Sequence, residues 1–286
     1  MKNIIITGCS SGFGWLMAKH LAKEGHTVYA TMRNIKTTNL QSAKELLDWA
    51  KTNGVRIFIK ELDVSREDSI KTAIRGIALA CGGKIDVLIN NAGFATSGLI
   101  EEYSDQQVHE IFETLVHGPN RVTKAVLPYM HRYRDGLLIL MSSRMSSFQL
   151  PFVGIYSAAK AAVQAMAKSY HYELKHSGIE SVVVQSGSYK TGIGEKSIIV
   201  ENSAVAKKYG DWYRKTKEKV VNLFTTYKEP QDMRQITDLI STIINTPTGK
   251  RKLIYPVGLG MLETPIHEIN AQSENMSTAL MEMIGV

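Results

Sequence analysis

The sequence predicts an α/β protein: a doubly wound parallel sheet of about seven strands with helices on both faces, in one domain covering residues 1–286. Three observations carry this expectation. Strand-like and helix-like stretches alternate along the chain, the order that produces crossover connections and parallel pairing. The strand-like stretches are continuous apolar runs, such as Ile4–Ile6, Val87–Ile89 and Leu137–Met141, so both faces of the sheet need cover. A glycine-rich turn follows the first strand at once and opens directly into a helix.

Asn3 to Thr7 is a short β-branched run and Trp15 to Glu24 is helical, with Thr7-Gly8-Cys-Ser10-Ser11-Gly12-Phe13-Gly14 between them. Gly8 allows a tight turn, Gly12 lets backbone approach a diphosphate, and Gly14 lets the helix pack closely on the sheet. The free N–H groups and dipole of that helix then face the phosphates. The glycines are three and then one residue apart, a variant of the Rossmann-type dinucleotide turn. The next strand, His26 to Met32, ends at Arg33-Asn34, where such folds usually carry an acid for the ribose 2′-hydroxyl. A guanidinium there suits a 2′-phosphate, and no carboxylate repels it, so NADP(H) is expected ahead of NAD(H).

Asn39 to Asn53 reads as a helix and Arg56 to Val64 as a strand ending in Leu62-Asp63-Val64. Ser65-Arg-Glu-Asp68 carries a capping-box pattern for the following helix. Asp86 to Asn90 is a buried strand, and the small residues of Asn90-Asn91-Ala92-Gly93 let backbone lie against a flat ligand. Asp105 to Arg132 is helical, with an interruption expected near Gly118-Pro119. Gly136 to Ser143 is the next buried strand, and Tyr156 to His176 a helix whose many alanines allow close approach of another helix. Ser181 to Gln185 forms a strand leading to Ser186-Gly187-Ser-Tyr-Lys-Thr191. Residues 190–230 give no strand signal. They do contain a helical stretch, Ser203 to Phe224, with Tyr209, Trp212, Tyr213, Val220 and Phe224 near one face, which suits a lid over an apolar substrate. Gln231 to Asn245 is helical and Lys252 to Val257 is the last strand. The methionine-rich end, 261–286, is weakly patterned and packs on the domain or on a partner subunit. The chain thus divides into a core (1–190), a lid segment (191–230) and a C-terminal part (231–286), with no linker or repeat.

Composition narrows the function classes. The net charge of +7 is scattered, which gives a solvated basic surface and no nucleic-acid partner. Two cysteines, Cys9 and Cys81, make neither a disulfide framework nor a metal-ligand spacing, and no metal is expected. No apolar stretch approaches a membrane span and no signal-peptide pattern opens the chain, so a soluble, cytoplasmic protein is expected.

The chemistry centres on Tyr156-Ser-Ala-Ala-Lys160. Four residues apart on a helix, the phenol and the ammonium share a face. A neighbouring ammonium favours the phenolate, which would lower the pKa of Tyr156 from its usual value near 10 and fit it for general acid–base work at a carbonyl or alcohol oxygen. The glycine turn, Asn90, Ser143 and Tyr156 all fall at or just after the carboxyl ends of strands, where open α/β sheets bind ligands.

Together these residues resemble the short-chain dehydrogenase/reductase superfamily over roughly Asn3 to Gly258. Thr7-Gly8-x-x-x-Gly12-x-Gly14 resembles its cofactor turn and Asn90-Asn91-Ala92-Gly93 its sheet motif. Ser143 with Tyr156-x-x-x-Lys160, thirteen positions from Ser143 to Tyr156, resembles its active site. The resemblance implies that Tyr156 is the acid or base, that Lys160 lowers its pKa and holds the nicotinamide ribose, and that Ser143 bonds the substrate oxygen. It places Asp63 and Val64 near the adenine and Thr191 near the carboxamide. Gly8, Ser10, Ser11, Gly12, Phe13, Gly14, Arg33, Asn90, Ala92, Gly93 and Gly187 line the rest of the cofactor site by the same resemblance. The run Val-Tyr-Ala-Thr-Met-Arg33 is similar to the NADP-preferring branch with hydroxysteroid and retinol-type dehydrogenases, and the alanine-rich helix to the superfamily's dimer-forming pair, implying a homodimer or homotetramer.

Three positions depart from the family pattern. Leu115 stands where an asparagine usually holds a relay water, Ser186 where a proline usually precedes Gly187, and Ser146 where a glycine usually follows the active-site serine. Leu115 predicts a slower enzyme, with His117 a candidate substitute in the relay. It also predicts that Leu115→Asn raises turnover, unless the helix is reshaped around leucine. The leading expectation is an NADP(H)-dependent oxidoreductase acting on an apolar alcohol or carbonyl compound. The competing one is a catalytically weak nucleotide-binding sensor on the same scaffold.

Overall fold

A computed structural model of the chain describes residues 1–189, 198–225 and 231–285. The first half alternates β1 (Asn3–Ile6), α1 (Gly12–Lys23), β2 (Thr27–Met32), α2 (Leu40–Thr52), β3 (Ile57–Glu61), α3 (Glu67–Ala80) and β4 (Val87–Asn90). A two-residue β5 (Thr96–Ser97) precedes α4 (Asp105–Phe112), which runs through a π turn, Glu113–His117, into α5 (Gly118–Tyr133). Then come β6 (Gly136–Ser143), α6 (Gly154–Glu173), β7 (Ile179–Ser186), β8 (Ile198–Ile199), α7 (Ser203–Thr225), α8 (Arg234–Asn245), β9 (Ile254–Val257) and α9 (Glu263–Met283).

Seven strands pair in the order β3-β2-β1-β4-β6-β7-β9, all parallel. Registers such as Ile5↔Leu88 and Leu88↔Leu138 stack apolar side chains across the middle strands. Because successive side chains point to opposite faces, Ile5, Leu88 and Leu138 join one core while Ile4, Ile6 and Ile89 join the other. The first core takes Ile74 of α3, Val126 of α5 and Val163 of α6; the second takes Leu21 of α1, Leu46 of α2 and Ile240 of α8. Strand order reverses between β1 and β4, and the carboxyl ends of those two strands open the crevice where such sheets hold ligands.

Four features differ from the sequence reading. Ser65 does not cap α3. Its hydroxyl and N–H both donate to Asp63 Oδ1, 2.7 and 3.0 Å away, and the helix begins at Glu67, because a two-residue Asx turn competes successfully with the cap. The break in the long helix is the π turn at Glu113–His117, and Pro119 follows it in the first turn of α5. Residues 190–230 do contain a strand: β8 adds to β5 through Thr96↔Ile198 and Ser97↔Ile199, too short for its two residues to show a pattern. The methionine-rich end forms α9, which buries only Ile266 and Asn270 and leaves Ile269, Met276 and Leu280 exposed.

Candidate active site

The glycine turn is shaped by contacts that no Cβ could share. Gly8 (φ +74°) has backbone of Ala92 2.7 Å from the place its Cβ would take, and Gly12 has φ +60°. A Cβ on Gly14 would lie 2.3 Å from the Gly8 carbonyl, so α1 starts directly against the turn. Thr7 and Asn91 bind the two sides of the crevice together. Thr7 Oγ1 accepts from the N–H groups of Asn91 (2.9 Å) and Ala92 (3.0 Å), while Asn91 Nδ2 donates to the Thr7 carbonyl at 2.9 Å. Sequence reasoning noticed these residues only as flanks of motifs; their role depends on β1 and β4 being neighbours.

The resulting cleft, of about 490 Å³, is lined by Gly8, Ser10, Ser11, Gly12, Phe13, Arg33, Asp63, Val64, Ala92 and Gly93, as well as by Thr38, Asn39 and Thr114. Arg33 is exposed at its edge, its carbonyl held by Asn39 Nδ2 at 2.6 Å, and Asp63 is the one carboxylate among the lining residues. Other expected cofactor residues lie behind the lining. Asn90 is buried and donates to Thr123 Oγ1 at 3.0 Å, bracing β4 against α5. Gly187 lies against Gly258, whose carbonyl would be 1.7 Å from an added Cβ. Thr191 lies outside the described residues.

Ser143 ends β6, and Tyr156 and Lys160 project from the first turns of α6 beside it. The Ser143 side chain lies near enough to the Tyr156 hydroxyl to act on its ionisation, and its Oγ accepts from the Met145 N–H at 3.2 Å. Lys160 Nζ lies 5.8 Å from the centre of the Tyr156 ring and donates to the Met141 carbonyl at 2.9 Å. Burial dominates both ionisations. It pushes the Tyr156 phenol above its ordinary value, the nearby Ser143 side chain offsetting this only in part, and it pulls Lys160 down to about 8. The expected lowering of Tyr156 by Lys160 is therefore corrected: the ammonium is itself desolvated and turned toward a strand carbonyl.

Leu115 is buried in the π turn, within the core cluster, and its Cδ2 lies 2.9 Å from where a Cβ on Gly93 would stand. The helix widens to a π turn at this position, and the leucine side chain fills the core there. His117 is exposed, and Asn120 is engaged elsewhere, accepting from Tyr170 OH at 2.7 Å.

In the loop before α6, Phe152 is fully buried with φ +69°, rare for a bulky residue, and its ring stacks on Trp212 and meets Tyr213 edge-on at 5.2 Å. Of the apolar face expected on α7, Tyr213 and Val220 pack on Phe152, Leu99 and Val205, whereas Tyr209 and Trp212 stay partly exposed; the side chain of Phe224 lies outside the described residues. Buried Glu102 clasps α7 in place: its Oε1 accepts from the Asn202 N–H (3.1 Å) and Tyr213 OH (2.8 Å), and its Oε2 from the Leu99 N–H (2.7 Å). Nothing in the sequence around Glu102 signals the clasp, since Asn202 and Tyr213 lie about a hundred residues away.

No group of three or more His, Cys, Asp or Glu among the described residues could hold a metal, and no helix among them is long and apolar enough to cross a membrane. The parallel sheet and the glycine turn at its switch point define a doubly wound α/β fold of the nucleotide-binding type. The pattern of the family described as short chain dehydrogenase matches residues 2–200. An uncharacterized oxidoreductase, YusZ of Bacillus subtilis, is 34% identical over 91% of this chain and 90% of its own. The 3-ketodihydrosphingosine reductase of Bacteroides thetaiotaomicron is 33% identical over 73% of this chain and 71% of its own. A short-chain dehydrogenase from Streptomyces avermitilis superposes with a TM-score of 0.77 at 26% identity, covering 99% of this chain and 96% of that one. The chain belongs to the short-chain dehydrogenase/reductase family, and it is an enzyme acting on a small molecule.

Proposed function

We propose that this enzyme uses NADP(H) to interconvert an alcohol and a ketone or aldehyde on an apolar small molecule, with Tyr156 as general acid and base. The observation that carries the reading is the grouping of Ser143, Tyr156 and Lys160 where β6 ends and α6 begins, in a chain whose glycine turn lines a cleft and has no room for side chains at Gly8 and Gly14. The residues present fit the dinucleotide: Gly8, Ser10, Ser11, Gly12 and Phe13 would hold the diphosphate, Asp63 and Val64 the adenine, Ala92 and Gly93 the ribose and nicotinamide side, and Arg33 the 2′-phosphate. When bound, the nicotinamide supplies or accepts the hydride. Ser143 Oγ orients the substrate oxygen, and Tyr156, which burial keeps in the phenol form, donates the proton in the reducing direction. Lys160 holds the nicotinamide ribose once it leaves the Met141 carbonyl.

The apolar substrate rests on Phe152, Trp212, Tyr213 and Leu99 above Tyr156, with the segment 191–230 as lid, the core 1–190 below it and 231–286 closing the sheet. The similarity to a reductase of a long-chain keto lipid supports the same choice. Exposed Ala158 and Ala165, with half-buried Ala161 and Ala162 between them, give α6 a smooth outer face for a homodimer or homotetramer, and the cytoplasm is the proposed location. The test is NADPH oxidation against a panel of ketones, aldehydes and quinones. Turnover of an apolar carbonyl compound supports the reading, and none across the panel overturns it.

A further inference from the structure

Tyr156, Lys160, Gln164 and Lys168 succeed one another at four-residue spacing and form one stripe along α6. The first two belong to the site. Gln164 enters a buried network of uncharged groups behind it. Ser146 Oγ lies 2.6 Å from both the Ser143 carbonyl and Gln164 Oε1, with one proton to give, and accepts from Gln185 Nε2 at 3.1 Å. Gln185, fully buried on β7, also donates to Ser147 Oγ at 2.7 Å, and its Oε1 accepts from Asn270 Nδ2 of α9 at 2.9 Å.

We propose that Asn270 of the C-terminal helix is a positioning residue for Ser143, acting through Gln185 and Ser146 on the turn that carries it. Buried amides cost desolvation that apolar side chains of the same size would avoid, so the network contributes a unique arrangement rather than net stability. Its two ends identify what is arranged. One is the carbonyl of Ser143, whose side chain meets the Tyr156 hydroxyl. The other is one of only two residues that α9 buries. Asn270 Oδ1 has no partner among the described residues, so replacing this amide removes an uncompensated polar atom along with the bond to Gln185. A second tether, Lys168 Nζ to Ser273 Oγ at 2.8 Å, joins α9 to α6 without leading to Ser143 and serves as the internal control.

The proposal rests on Ser143 orienting the substrate oxygen. The experiment compares Asn270→Leu, the milder Asn270→Ser, Gln185→Leu, the Asn270→Leu/Gln185→Leu pair and Ser273→Ala by steady-state kinetics, NADPH titration and amide hydrogen exchange. In Asn270→Leu and Asn270→Ser, kcat should fall about ten-fold with NADPH affinity retained, and exchange across residues 143–147 should quicken. The pair should lose no more than Gln185→Leu alone, because both act through one chain. Ser273→Ala should match wild type in both readouts. Wild-type kcat and exchange in the folded Asn270 variants, or equal losses in Ser273→Ala, would overturn the coupling. Unchanged turnover in Ser143→Ala would instead overturn the reading of Ser143, which the exchange measurement does not depend on.

Discussion

Lys160 gives its proton up at about pH 8, because burial penalises the ammonium and its one neutral partner, the Met141 carbonyl, compensates incompletely. A lysine with a lowered pKa is charged below that value and neutral above it, so any hold it has on a ribose hydroxyl is strongest below pH 8 and fades as pH rises through it. NADPH affinity measured by fluorescence titration from pH 6.5 to 9.5 should therefore decline across about pH 8, and Lys160→Met should remove that step. At the other end of the cleft, Arg33→Ala should weaken NADPH about ten-fold or more while leaving NADH nearly unchanged, since the charge-assisted bond involves only the 2′-phosphate. Calorimetric titration of both cofactors checks this. Leu115 belongs to the same scale. Packed in the core against Gly93, it leaves no partner for an amide, so Leu115→Asn should lose about 1–3 kcal/mol of stability by denaturant unfolding and gain no turnover.

Elements were legible in the sequence wherever a period or an apolar run was long enough to speak. The strand predicted for Gly136 to Ser143 matches β6 at both ends, and Asn39 and Asn53 flank α2 as expected. What stayed hidden depended on tertiary partners. The two residues of β8 exist because β5 lies beside them, the π turn at Glu113–His117 carries no signal in the sequence, and the Asp63 turn replaced the Ser65 cap in a local competition. Within the site, the motif residues could be read, whereas Gln164, Gln185 and Asn270 could not, because hydrogen bonds between distant amides leave no periodic trace. The clasp on α7 is of this kind. Glu102→Ala leaves the Leu99 and Asn202 N–H groups and Tyr213 OH without their acceptor, which should cost about 1–3 kcal/mol, raise KM for an apolar substrate and speed proteolysis within residues 198–225.

On the scale of the whole molecule, the doubly wound sheet brings two kinds of chemistry to one edge. Reversal of strand order between β1 and β4 opens a crevice at the carboxyl ends of the strands, and β6 with α6 brings Ser143, Tyr156 and Lys160 together at the end of β6. Helix α7 packs on Phe152 in the loop before α6, and α9 is joined through Asn270 to the hydrogen bonds behind Ser143. The account stands or falls on the proton that Tyr156 transfers. The most direct measurement is NADPH consumption by Tyr156→Phe with the best carbonyl substrate of the panel, alongside NADPH affinity of the same variant. The phenylalanine keeps the ring and removes only the hydroxyl. Turnover should therefore drop by about 10²–10⁴-fold with cofactor binding preserved. Wild-type turnover in Tyr156→Phe would contradict the mechanism.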